Sequence, residues 1–73
     1  MTLVSSSPVE VVDGVEQMRA FVVANQTPAT LPTDGTGVDG MRDNVHFAPF
    51  SILYVVTGGD VYIAGEDGVF VKQ

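Results

Sequence analysis

A chain of 73 residues makes one domain at most, and a domain that short buries only about 60% of the surface its unfolded form exposes, so its thin stability margin calls for a staple or for contacts with other chains. The absence of cysteine and the single histidine remove disulfides, thiolate zinc sites and multi-histidine metal sites, leaving carboxylate metal sites or oligomer contacts. Nine acidic against three basic residues give a net charge of −6, which opposes binding to a phosphate backbone, while a hydrophobic content of 45% belongs to a folding chain and not to a charged disordered tail.

Residues 1–7 read as a polar lead. They carry no basic n-region, and their apolar run is too short for a signal peptide. No stretch approaches the roughly 20 apolar residues of a membrane span, so a soluble chain without a cleaved export signal is expected. Residues 8–26 carry two conflicting signals. Val9-Glu10-Val11-Val12, Asp13-Gly14 and Val15 onward to Ala24 read as a hairpin around an Asp-Gly turn. Against that, Asp13-Gly14-Val15-Glu16 resembles a capping box, and Val15, Met18 and Val22 share one helical face. The dominance of valine favours the hairpin over a short helix.

Residues 27–44, with Pro28, Pro32, Gly35, Gly37 and Gly40, read as an extended turn-rich loop with few apolar anchors. Its closely spaced Asp34, Asp39 and Asp43 suggest a calcium loop, but Thr36 and Val38 stand where alternate ligands belong and no glutamate closes the pattern. A solvated loop is the simpler reading. Gly35-Thr36-Gly37 with Gly40 is not framed by a strand and a helix as a dinucleotide fingerprint requires. His46 has acids nearby in sequence but no nucleophile in a catalytic context, so it reads as a structural or surface histidine. No catalytic, cofactor-binding or metal-ligating residue is assigned.

Residues 45–73 are strand-rich. Ser51–Thr57, Val61–Ala64 and Val69–Lys72 read as a three-stranded antiparallel meander, giving a small, mainly β single domain over residues 1–73. A two-residue turn at Gly58-Gly59 sets Val56 against Val61, Val55 against Tyr62, Tyr54 against Ile63 and Leu53 against Ala64. One face then carries Tyr54, Val56, Val61, Ile63 and Phe70, and the other Leu53, Val55, Tyr62, Ala64, Val69 and Val71. Neither face is polar, and the rest of the chain has material to cover only one. Tyr54, Ile63, Phe70, Leu53, Val55 and Tyr62 are therefore the candidate assembly interface, and a homo-oligomer is expected.

The run Phe47-Ala48-Pro49-Phe50-Ser51-Ile52-Leu53-Tyr54-Val55-Val56-Thr57-Gly58-Gly59-Asp60-Val61-Tyr62-Ile63-Ala64, followed by Gly68-Val69-Phe70-Val71-Lys72-Gln73, resembles short proteins encoded among the structural genes of tailed bacteriophages. Leu31-Pro32-Thr33-Asp34-Gly35 extends the likeness upstream. The resemblance implies a non-enzymatic, virion-associated role as a head-fibre, decoration or tail-attachment component, assembled in the host cytoplasm. The implied partners are other copies of the chain, a trimer by analogy with fibres, and a capsid or tail protein, with no cofactor, direct nucleic-acid contact or membrane. A small acidic regulatory or counter-defence protein that occupies a basic site on a host factor is the alternative. A calcium- or carbohydrate-binding module resting on the Asp39 loop is a third.

Overall fold

The computed structural model, which describes residues 1–73, shows an all-β chain. Its strands are β1 (Thr2–Ser6), β2 (Glu10–Val12), β3 (Val15–Met18), β4 (Ala20–Ala24), β5 (His46–Phe47), β6 (Ile52–Val55), β7 (Val61–Ala64) and β8 (Phe70–Lys72). They build two mixed sheets, one of five strands in the order β1-β4-β6-β7-β8 and one of three in the order β2-β3-β5.

Asp13 and Gly14 both adopt positive φ, 51° and 77°, the type I′ geometry that suits the twist of paired strands. Val12 accordingly pairs with Val15, and Glu10 with Gln17. Residues 8–26 thus hold no helix, but the hairpin expected to run to Ala24 is closed within the segment only over Glu10–Gln17, and Ala20–Ala24 pairs with strands outside it. Residues 1–7, read as a polar lead, supply β1, which pairs antiparallel with β4 and changes register between Leu3 and Ser5. Where the two sheets meet, the Ser7 N–H donates to the Arg19 carbonyl at 2.9 Å and the Ser7 Oγ accepts from the Arg19 N–H at 3.0 Å. One bent hairpin therefore runs through both sheets. Its tip is an exposed arm, with Val9, Val11, Val12 and Val15 in contact with solvent.

The centre of the larger sheet is a parallel pairing of β4 with β6, Phe21 opposite Ile52 and Ala24 opposite Val55. At its start the fully buried Ser51 side chain stands in for a ladder bond. Its Oγ accepts from the Ala20 N–H at 3.0 Å and donates to the Ala48 carbonyl at 2.8 Å.

The last three strands pair antiparallel in sequence order, but in a different register from the one a two-residue turn predicts. Leu53 faces Tyr62 and Tyr54 faces Val61. The amides of Val56 and Thr57 donate to Ala24 and Asn25 carbonyls of the β4 end, so those residues leave the β7 ladder and the loop widens to residues 56–59. The slide is by two residues, and an even slide leaves every side chain on its expected face. The second turn behaves differently. Gly68 donates to the Gly65 carbonyl and Gly65 to the Val69 carbonyl, a three-residue loop with a glycine bulge. Gly68 has φ 76°, and a Cβ there would stand 2.8 Å from the Phe47 carbonyl oxygen. The odd residue reverses the faces of β8, pairing Ala64 with Phe70 and Ile63 with Val71.

Phe70 therefore points into the core, where its ring packs on Phe47 at 4.8 Å between centroids. The core lies on one face of the five-stranded sheet, among Val22, Leu53, Val55, Tyr62 and Phe70. Its cover comes largely from residues 27–44 and the strand after them. Val38, Met41, Val45 and Phe47 are buried, and Leu31 packs beside them, so the loop is better anchored than its composition suggests. A chain of short turns shapes it: Val38 donates to Gly35, Met41 to Val38 and Val45 to Arg42. Gly35 admits no side chain, because a Cβ there would overlap the Arg42 carbonyl oxygen.

Two substitutions test this account. Ser51→Ala strands the buried Ala20 N–H and is expected to cost about 1–3 kcal/mol in urea unfolding. Phe70→Ala empties the Phe47 contact and is expected to cost about 3 kcal/mol or more, a large part of what a domain this size has. A Ser51→Ala midpoint equal to that of the parent would refute the bridging role.

Candidate interaction surface

The face of the five-stranded sheet opposite the core is apolar and open. Register places two continuous rows across it. Ser5, Phe21, Ile52, Ile63 and Val71 form the first, and Thr2, Val23, Tyr54 and Val61 the second. None of these residues is a carboxylate or a cation. Phe21 and Ile52 are each 37% exposed and Val71 is 57% exposed, whereas Val22, Leu53 and Val55 directly behind them are fully buried. Five strands about 4.8 Å apart and three to five residues long give this face a plan area on the order of 300 Å². Patches of that size on a monomer are often functional.

Of the six residues expected at an assembly interface, Tyr54 and Ile63 lie on this open face. Leu53, Val55, Tyr62 and Phe70 are core residues and cannot reach a partner. Tyr54 and Tyr62 stand on opposite faces, as alternation along paired strands dictates. Val71, expected on the other face, joins the open one through the bulge at Gly68. Phe21 and Val23 escaped sequence reading as surface residues because nothing in the sequence pairs β4 with β6.

At one end of the open face lies a groove of about 260 Å³ bounded by Ser5–Ser7, Arg19, Phe21, Phe50 and Ile52. Phe50 is 72% exposed and has φ 69°. It is the third residue of a turn closed by the Ser51 N–H donating to the Ala48 carbonyl at 3.2 Å. With Pro49 second, the turn resembles type II, in which glycine or asparagine normally stands third. A phenylalanine held there costs on the order of 1 kcal/mol or more. The signal was present in Pro49-Phe50, but a Pro-containing turn does not by itself reveal the sign of φ.

The carboxylates lie elsewhere. Asp34 accepts the Thr36 N–H at 2.9 Å through Oδ1, which with the Thr36 side chain holds its carboxyl below the usual range. No three His, Asp or Glu side chains converge where a metal ion would sit. His46 is exposed on β5, its backbone bridging that of Asp34. Glu16 meets Arg42 at 2.7 Å and accepts from Asn44 at 3.2 Å, tying the covering loop to β3. Compared with protein-family models, with curated proteins and with solved structures, the chain finds no match.

The Arg42 guanidinium holds the Glu16 carboxyl below its usual pKa. A depressed carboxylate contributes stability above its unfolded-state pKa and loses it as pH falls through the folded-state value. The pair is solvent-exposed and screened, so the contribution is small. Thermal melts should show stability falling from about pH 5 downward, with a shallower fall in Glu16→Gln. Identical pH slopes for the two proteins would dismiss the pair as a contributor.

Proposed function

We propose that this protein is a non-enzymatic building block of a tailed-phage particle that associates with copies of itself and with a capsid or tail protein. The observation carrying this reading is the pair of uncharged rows, apolar but for Thr2 and Ser5 on the edge strand, on an uncovered sheet face. The resemblance of residues 29–73 to small phage structural proteins supplies the setting. The nine carboxylates are spread over the arm, the loop and the turns and do not form one stripe, which favours assembly over the mimicry of nucleic acid. A trimer of the fibre kind needs two different contact surfaces per copy. A single continuous face pairs with itself about a two-fold axis, so a dimer is the simplest assembly that covers it.

Sedimentation equilibrium from about 1 to 200 µM should show reversible self-association in the micromolar range, the strength of small interfaces. Ile63→Lys, which sets two ammonium groups against each other in the contact, should remain folded and monomeric. A wild-type mass of one chain throughout that range would overturn the self-association. Mass spectrometry of purified particles should find the chain in them, and its absence would overturn the virion assignment.

A further inference from the structure

We propose that Phe50 is the anchor of the dimer, its ring entering the groove beside Arg19 on a second copy while the second copy's Phe50 enters the first. This inference rests on the self-association reading and names the side chain that gives it specificity.

Three observations meet at this position. The first is area. Two flat faces laid together bury on the order of 600 Å², short of the roughly 1,000 Å² that a specific interface needs. An aromatic side chain buries about 150–250 Å². Two Phe50 rings and the groove walls they cover therefore carry the contact past that threshold.

The second is charge. Of the three Lys and Arg residues, Arg42 is paired with Glu16 and Lys72 with Asp60. Arg19 has no carboxylate partner, and it lines the groove. A guanidinium beside an empty groove is complemented by the face of an aromatic ring. The open-face rows carry no acid, so two copies each bearing −6 meet here without opposing carboxylates in the contact.

The third is position. Phe50 borders the same groove that Arg19 lines, so knob and hole are neighbours. A two-fold axis between them seats both rings at once, and the contact closes without leaving a free end to propagate. Phe50, held at a positive φ, is exposed and lies outside the core, so its ring is free to enter a partner.

Phe50→Gly is the decisive variant, because glycine suits the positive φ and removes the ring. Its melting temperature, taken at a concentration where both proteins are monomeric, should equal or exceed that of the parent. Its dimer dissociation constant, measured by sedimentation equilibrium, should rise at least tenfold, as for loss of an interface anchor. Arg19→Gln should weaken the dimer in the same direction by a smaller factor. If the parent dimerises and Phe50→Gly dimerises equally well, the anchor is wrong while the open-face reading stands. A melting temperature that falls in Phe50→Gly would assign the ring to the monomer's fold and overturn the proposal. A parent that never dimerises removes both readings together.

Discussion

Only one face of the five-stranded sheet is covered, because the chain has a single stretch left over to cover it. Residues 27–45 contribute Val38, Met41 and Val45 to the same buried core as Val22, Leu53 and Val55. The remaining length goes into the hairpin arm, which stands out into solvent. Most other properties follow from that shortage. Strands buried on both sides read as unbroken apolar runs, and strands buried on one side usually alternate with polar residues. Here the runs are unbroken although one side is bare. The sequence is thus written for an environment that the single chain does not provide.

The bare face also accounts for the placement of charge. Glu10, Asp13 and Glu16 are on the arm, Asp34, Asp39 and Asp43 on the covering loop, and Asp60, Glu66 and Asp67 in or beside turns. Such a distribution keeps the chain strongly acidic while leaving one surface free of carboxylates. Long-range repulsion between copies is screened beyond about 8 Å at physiological salt, so it tunes the encounter more than the contact.

The sequence was most legible where local chemistry decides the geometry. Asp13-Gly14 between valines favours the hairpin turn over the competing helix cap, and Val61–Ala64 is a strand with the bounds its residues predict. It was least legible where a distant partner decides. The amides of Val56 and Thr57 turn to β4, and no property of those residues announces it. Phe70 lies on the face opposite to the expected one because Gly65-Glu66-Asp67-Gly68 is compatible with several turns, of which the bulged one alone reverses the parity of the strand that follows. β1 was hidden by its serines, since an edge strand held by backbone bonds needs few apolar side chains. The covering loop is hidden because Val38, Met41 and Val45 stand at i, i+3 and i+7, a helical spacing that Gly35, Gly37 and Gly40 contradict and that the chain does not follow.

The parallel pairing of Phe21 with Ile52 joins residues far apart in a short chain. An antiparallel hairpin closes as soon as its turn forms, but this pair must wait until everything between its strands has been positioned. Folding rates fall as the mean sequence separation of contacts rises. The arm and the β1–β4 pair close over shorter sequence separations, whereas the β4–β6 pair with its Ser51 bridge closes over about 30 residues. Without β6, β4 has one edge unpaired, the edge along which Phe21–Ala24 lie beside Ile52–Val55 in the finished sheet. An unpaired apolar edge is a template for pairing with another chain, so this one ladder is where misassembly competes with folding.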